Sequence, residues 1–184
     1  MSVLLLLSGP SGVGKGTLVS HVTQAHPEIW VSVSATTRSP RPGEVDGRDY
    51  VFLTEEEFAH MREHGELLEW ATVHGQFHYG TPRGPVEERV NRGIPCILEI
   101  DYQGMRQVKK VIPEAVSVFI APPSWEELVS RLEGRGSEDA LQRERRLETA
   151  RRELDLSAEF DHVVVNDDLA VASQRLHEIL RAGR

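Results

Sequence analysis

The chain has 184 residues, of which 39% are hydrophobic and 27% charged, and its formal net charge is −8. This length suits one domain with a sizeable core, and the balance of residue types is that of a globular protein. The acidic charge argues against a nucleic-acid partner, which requires a broad basic surface, and the single cysteine, Cys96, excludes an internal disulfide.

The sequence also argues against a membrane partner. No apolar stretch is long enough to span a bilayer, and the apolar run at the N-terminus is too short for a signal peptide. A chain with one cysteine fits a reducing compartment. We therefore expect a cytoplasmic location.

The first predicted elements are a strand, a glycine-rich loop and a helix. Residues 3–8 form an apolar run before a glycine, as buried parallel strands do, and a helical pattern runs from 15 to about 26. Residues 31–34 alternate like a short strand. A polar loop with two prolines and two glycines is predicted over 35–49.

Shorter elements follow, and two helices begin with capping boxes, at Thr54 with Glu57 and at Ser124 with Glu127. In chain order the predictions are a strand at 50–53, a helix at 54–64, a strand at 66–73, a helix at 82–93, a strand at 96–101, a helix at 104–112, a strand at 115–121, helices at 124–133 and 139–157, a strand at 162–166 and a helix at 169–181.

This alternation predicts an α/β fold. Repeated strand–helix–strand units favour a parallel sheet covered by helices on both faces. This regular alternation of strands and helices is interrupted over 35–92, where short strands cluster. We expect that segment to form an inserted lobe over the carboxyl ends of the strands, where ligands bind in such folds.

The glycine-rich loop fits the phosphate-binding pattern G-x-x-x-x-G-K and lies between a strand and a helix, as the pattern requires. Glycines let successive backbone N–H groups turn toward an anion, and the helix N-terminus adds partial positive charge. Lys15 supplies a full charge for the β- and γ-phosphates of a nucleotide. The donor site is predicted to include Gly9, Pro10, Ser11, Gly12, Val13, Gly14, Lys15, Gly16 and Thr17.

A second anion site is predicted in the polar loop, which carries Arg38, Arg41 and Arg48 just past a strand end. A second anion beside a triphosphate indicates a phosphoryl acceptor that is itself a phosphate ester. The surrounding pattern resembles the nucleoside-monophosphate signature of guanylate kinases. It comprises Thr36, Thr37, Arg38, Arg41, Glu44, Gly47, Tyr50 and Phe52, and the resemblance continues through GELLEW, HYGT, LEIDYQG, FIAPPS, RLEGRGSED and VVVNDDL.

The resemblance covers nearly the whole chain and implies a three-layer α/β/α fold with a five-stranded parallel sheet, an inserted mixed α/β lobe that binds GMP, and a short helical lid. It implies one domain over 1–184, with a core at 1–34, 93–124 and 156–184, the lobe at 35–92 and the lid at 125–155. It also implies the reaction ATP + GMP = ADP + GDP with Mg²⁺, the same activity on dGMP, and a monomer or weak homo-oligomer.

The resemblance also assigns residue roles. It implies that the GMP phosphate is held by Ser34, Arg38, Arg41, Tyr50 and Tyr79, and that guanine is read by Glu69, Thr81 and Asp101. On the donor side it implies roles for Arg131, Arg135, Arg146 and Asn166, with Lys15, Arg41, Arg135 and Arg146 as the catalytic set. Guanine presents adjacent N–H donors, which suit an acceptor-only carboxylate such as Glu69.

The residues that contact the metal are less directly indicated by the sequence. Gly16 stands where such loops usually carry Ser or Thr, whose hydroxyl ligates Mg²⁺. Thr17 follows one residue later, and Asp101 ends an apolar strand that resembles the acidic strand of phosphate-loop enzymes. We therefore name Thr17 and Asp101 as metal contacts, through water where they do not reach directly.

Two alternative functions remain open on the sequence. One is a kinase of the same architecture that acts on AMP or a ribose bisphosphate, against which Glu69 and the complete arginine-loop signature argue. The other is a non-enzymatic module like the guanylate-kinase-like domains of scaffold proteins, which typically lack a working donor loop. A zinc site at His60 and His64 is disfavoured, because no third ligand is evident on that charged helix.

Overall fold

The computed structural model describes residues 3–73, 76–133 and 140–183. The strands of this part of the chain are β1 (Leu4–Ser8), β2 (Trp30–Val31), β3 (Ala35–Thr36), β4 (Val51–Phe52), β5 (Leu67–Val73), β6 (Phe77–Pro82), β7 (Cys96–Glu99), β8 (Val116–Ala121) and β9 (His162–Val165). The helices are α1 (Lys15–Ala25), α2 (Glu55–Glu63), α3 (Arg83–Asn91), α4 (Tyr102–Val111), α5 (Trp125–Glu133), α6 (Ala140–Asp155) and α7 (Leu169–Ala182).

The larger sheet has five strands in the order β2-β7-β1-β8-β9, and all of its pairings are parallel. The predicted five-stranded parallel sheet is therefore confirmed. Strand β1 lies at the centre, and every one of its residues is buried. A central strand that is buried on both faces explains why this segment is a continuous apolar run rather than an alternating one.

Successive β1 side chains point to opposite faces, and this alternation produces the three layers. Leu5 and Leu7 pack in one hydrophobic cluster with residues of α1 and α7. Leu4 and Leu6 pack in a second cluster with residues of α3 and α4. Helices therefore cover both faces of the sheet.

A smaller mixed sheet of four strands, in the order β4-β3-β6-β5, lies within residues 35–92. Strands β3 and β4 are parallel, whereas β6 is antiparallel to both β3 and β5. The β5–β6 pairing places Glu69 opposite Thr81. The capping box predicted at Thr54 and Glu57 is present at the start of α2, with both reciprocal hydrogen bonds formed.

Several predicted elements need correction. Strand β2 covers only Trp30–Val31 rather than 31–34, and the predicted loop begins with the two-residue strand β3. Strand β6 was not predicted, because Gly80 and Pro82 are residues that strands normally avoid. Helix α4 begins two residues earlier than expected, because Asp101 caps it. In the described part of the chain, every helix is too short or too polar to cross a membrane.

Candidate active site

The phosphate-binding loop joins the end of β1 to the start of α1 and lies against the carboxyl ends of β8 and β9. Gly9 has a φ of 148°, and a Cβ added there would overlap the carbonyl oxygen of Ile120. Gly14 has a φ of 95°, and its added Cβ would lie 2.7 Å from Asn166 Nδ2. Both glycines are required, since each has a positive φ that other residues rarely adopt and no space for a side chain.

Side chains from three later segments hold the loop. The Asn166 amide donates a hydrogen bond to the Val13 carbonyl oxygen at 2.8 Å, and Arg131 Nη1 donates to the same oxygen at 3.3 Å. Arg146, on α6, donates from Nη2 to Ser11 Oγ at 2.8 Å. The structure thus brings three predicted donor-side residues to the loop, whereas Arg135 lies outside the described residues.

Lys15 begins α1, and its ammonium group donates hydrogen bonds to the carbonyl oxygens of Gly9 and of Pro10, the latter at 3.3 Å. Two carboxylates lie within the reach of its charge. Burial raises the pKa of Glu99 and of Glu153, and the positive charge of Lys15 partly counteracts the rise at both. Lys15 is therefore a cation that offsets the negative charge of both carboxylates.

Arg38 forms the centre of a hydrogen-bond network on the predicted acceptor side, and its side chain is almost completely buried. Its Nη1 and Nη2 donate to the two carboxylate oxygens of Glu44 at 3.0 and 2.9 Å, and its Nε donates to the Tyr79 hydroxyl at 3.2 Å. The Glu44 hydrogen bond raises the pKa of Arg38, while burial opposes the rise. Such bidentate pairs fix the orientation of both partners.

Glu69 is a buried carboxylate, with 5% of the residue exposed. The Thr81 hydroxyl donates to its Oε1 at 2.6 Å. Burial raises the pKa of Glu69 to about 7, the Thr81 hydrogen bond opposes the rise, and the charge of Asp101 adds to it. A carboxylate of this kind is half protonated near neutral pH in the absence of other hydrogen-bond donors.

Helix α4 closes the site around Glu69. A Cβ added at Gly104, in the first turn, would lie 2.5 Å from Glu69 Oε2. The backbone N–H of Gly104 donates to Asp101 Oδ1 at 2.8 Å, and Gln103 Nε2 donates to Asp101 Oδ2 at 3.2 Å. The N-terminus of α4 therefore fixes Asp101 by hydrogen bonds and approaches Glu69 as closely as its backbone allows.

One cleft of about 750 Å³ joins these regions. Of the predicted site residues it is lined by Gly9, Ser11, Lys15, Ser34, Arg41, Tyr50, Glu69, Tyr79, Asp101 and Arg146. The cleft is thus lined both by the phosphate loop and by the predicted acceptor residues, an arrangement that would suit transfer between two bound ligands.

Other predicted residues lie outside the lining. Arg38 and Thr81 lie behind it, where they hold Tyr79 and Glu69, and Arg131 and Asn166 hold the phosphate loop through its carbonyl oxygens. Thr17 is an exposed residue of α1 and is not part of the lining.

Several residues that line the cleft were not predicted. Glu99 lies two residues before Asp101, and Thr149, Arg152 and Glu153 lie near Arg146 on α6. The remainder are Ala71, Thr72, Val73, Ile100, Tyr102 and Gln103. Two periodic signals would have found three of the polar ones: alternation along β7 for Glu99, and the spacing of three and seven residues from Arg146 along α6 for Thr149 and Glu153.

Comparisons with known proteins agree with one another. The model of the guanylate kinase family matches residues 1–183. The guanylate kinase of Frankia casuarinae is 56% identical over 173 residues, which cover 94% of this chain and 94% of that protein. The guanylate kinase of Synechococcus sp. (strain CC9311) is 55% identical, with coverage of 94% and 90%. The crystal structure of guanylate kinase from Anaplasma phagocytophilum superposes with a TM-score of 0.81 at 37% identity and covers 98% of this chain and 85% of that one.

The raised pKa of Glu69 predicts a pH-dependent stability difference for Glu69→Gln. The native state keeps a proton on Glu69 up to about pH 7, whereas the ordinary value of 4.5 applies in the unfolded chain. Unfolding therefore releases a proton between these values, and wild-type stability falls as pH rises through the window, by up to about 3 kcal/mol. The glutamine side chain of the variant has no proton to release. The free energy of unfolding of the variant therefore rises relative to that of the wild type over the same pH window.

Urea unfolding of both proteins at pH 5 and pH 8 measures the effect. Glu56→Gln, at an exposed position of α2, is the matched control and should track the wild type at both values. If the difference between Glu69→Gln and wild type is the same at both pH values, the carboxylate does not hold its proton as described.

Proposed function

The chain belongs to the guanylate kinase family, from which we infer that it is a kinase that transfers the γ-phosphoryl group of ATP to GMP and forms ADP and GDP. The observation that carries the inference is a cleft that is lined both by Lys15 with other residues of the phosphate loop and by Glu69, Arg41, Tyr50 and Tyr79. An acceptor that is already an ionised phosphate needs no general base, so positioning and charge neutralisation carry the reaction.

On the donor side we propose that the loop residues 9–17 bind the phosphates of ATP. Lys15 would exchange its hydrogen bonds to the loop carbonyls for the β- and γ-phosphate oxygens. Asn166 and Arg131 would keep the loop in shape through Val13, since both already donate to its carbonyl oxygen. Asn166 follows the last residue of β9, where we also place the adenine.

On the acceptor side we propose that Ser34, Arg41, Tyr50 and Tyr79 hold the GMP phosphate from the cleft wall. Arg38 would support that phosphate together with the Tyr79 hydroxyl, which it already orients. Its hydrogen bonds to Glu44 hold the guanidinium in place before the substrate arrives. This preorganisation reduces the ordering required on binding.

We propose that guanine is read by Glu69, with Thr81 and Asp101 in support. The ionised carboxylate accepts from the adjacent N1–H and N2–H₂ groups of guanine, whereas adenine offers an acceptor at N1 that would face Glu69 unpaired. Sites that pair buried polar groups reject a mismatched analogue by about 10⁴-fold. None of these proposed contacts involves the sugar, so we expect the same activity on dGMP.

We propose that Arg146 and Arg135, with Arg131, neutralise the transferring phosphoryl group, and that residues 125–155 close over the donor and exclude water. An arginine in this role contributes about 10³–10⁵-fold to the rate in related phosphoryl-transfer enzymes. The core and lobe boundaries at 1–34, 93–124, 156–184 and 35–92 remain predictions, as do a cytoplasmic location and a monomeric or weakly oligomeric state.

The residues present fit a Mg²⁺ ion held largely by nucleotide and water. Asp101 and Glu99 place carboxylates at the carboxyl end of β7 within the cleft lining, and carboxylate oxygens are the protein ligands that Mg²⁺ prefers. Thr17 lies outside the lining, so we assign it at most a contact through water. When bound, the ion would supply positive charge that offsets the charge of the phosphates.

An acceptor screen tests the proposed function. The purified protein with ATP should form ADP rapidly with GMP and dGMP, and slowly or not at all with AMP or ribose bisphosphates. Preference for a base-free sugar phosphate would support the related kinase instead. Failure to bind ATP in calorimetry would support the scaffold-type module.

Replacement of the loop cation by Lys15→Met should lower kcat by about 10²-fold or more, because the charge on the transferring phosphates loses its fixed partner. GMP binding, measured by calorimetry, should stay close to wild type since GMP occupies the other end of the cleft. Lys110→Met, at an exposed position of α4, is the control and should leave kcat unchanged. A near-normal kcat for Lys15→Met would refute the assignment.

The close approach of α4 to Glu69 predicts that Gly104→Ala weakens guanine recognition. The added Cβ would displace the Glu69 carboxylate, which could not then keep both the Thr81 hydrogen bond and its orientation toward the guanine base. Loss of one charged hydrogen bond corresponds to roughly tenfold to a hundredfold in the GMP-to-AMP ratio of kcat/KM.

The matched control for this variant is Gly84→Ala. Gly84 also lies in the first turn of a helix, α3, and a Cβ added there meets no heavy atom within 4 Å. Steady-state kinetics with both acceptors should show an unchanged ratio for Gly84→Ala. An unchanged ratio for Gly104→Ala as well would mean that Glu69 can move without losing the base.

A further inference from the structure

A cluster of two histidines and a glutamate lies at the end of α1 that is opposite the phosphate loop. His26 follows the last residue of α1, Glu28 comes two residues later, and His177 projects from α7. None of the three lines the active-site cleft. Helices α1 and α7 pack on the same face of the parallel sheet, so the cluster bridges two elements of the core.

The side chains converge closely. The imidazole rings of His26 and His177 are stacked, with centroids 3.5 Å apart and planes inclined by 22°. His26 Nδ1 lies 3.6 Å from Glu28 Oε1. One ligand atom from each of the three residues can be chosen so that all lie within 4.8 Å of one another. Zinc needs nitrogen and oxygen ligands at about 2.0–2.2 Å. An imidazole lone pair lies in the plane of its ring, so the two rings must rotate out of their stack to bind one ion together.

The chemistry of the three side chains also suits a divalent cation. An imidazole nitrogen presents a lone pair to a metal ion. The carboxylate of Glu28 adds the negative charge that offsets part of a dication.

A second histidine pair in the same chain provides a comparison. His60 and His64 on α2 are also stacked, with ring centroids 4.0 Å apart. There, however, His64 Nδ1 already lies 2.8 Å from the His60 carbonyl oxygen. Among the described residues, His26, Glu28 and His177 are the one group of three or more potential ligands that converges.

We propose that His26, Glu28 and His177 form a binding site for a divalent transition-metal ion such as Zn²⁺. Two imidazoles and one carboxylate supply three ligands, and water completes the tetrahedron, an arrangement that zinc adopts in proteins. The bound ion connects the C-terminal end of α1 to α7. Since it binds the folded chain, it also raises the stability of that chain.

Calorimetric titration of the purified, nucleotide-free protein with Zn²⁺ tests this site. The wild type should bind one ion per chain, and Mg²⁺ should not compete, because nitrogen ligands select against it. His177→Gln should weaken the binding by more than about tenfold, since even an outer-shell change at a zinc site costs that much. Thermal unfolding should show a Zn²⁺-dependent rise in Tm for the wild type that the variant lacks.

Two further proteins complete the test. Glu28→Gln changes an exposed side chain, so its fold should be unaffected, and its Zn²⁺ affinity should also fall. The double variant His60→Gln/His64→Gln is the matched control and should bind Zn²⁺ as the wild type does. Zinc binding that survives in Glu28→Gln and His177→Gln, or that disappears in the control, would overturn the proposal, as would a wild type that binds no Zn²⁺.

Discussion

The close approach of the phosphate loop to the ends of β8 and β9 is the constraint on which the rest of the site depends. At Gly9 and Gly14 the neighbouring atoms of Ile120 and Asn166 leave no space for a side chain. The loop backbone therefore packs directly against the ends of these two strands. The buried strand β1 therefore sets both the core and the place where a phosphate can bind.

On the predicted acceptor side, the positions of the side chains depend on buried charged residues rather than on glycines in a tight loop. Arg38 is matched by a carboxylate, Glu44, so its burial is compensated before any ligand binds. Glu69 has no cationic partner of this kind among its hydrogen bonds to the described residues, and its proton takes that role in the free protein. A nucleobase with two adjacent N–H donors would replace this proton, so under the proposed function the carboxylate would select for such a base.

Much of the core could be predicted because its signals are local. Strands such as β1 and β8 are apolar runs that end at a polar or small residue, and capping boxes mark helix starts. Strand β6 could not be predicted in this way, because its pairing with β3 and β5 outweighs the poor strand propensities of Gly80 and Pro82. The burial of Glu69 depends on Thr81 and on Gly104, which are distant in sequence, so no periodic pattern reveals it.

At the phosphate-loop end of the cleft, a bound nucleotide would change the charge balance around two buried carboxylates. Glu99 and Glu153 are carboxylates whose pKa values burial raises, and Lys15 is the cation that counteracts this effect. Phosphates that drew the lysine charge to themselves would leave both carboxylates less compensated and closer to protonation. Additional positive charge must therefore enter with the nucleotide or from α6, where Arg146 already contacts the loop at Ser11. Arg146 and Glu153 both line the cleft from that helix, so α6 presents a cation and an acid to the same cleft.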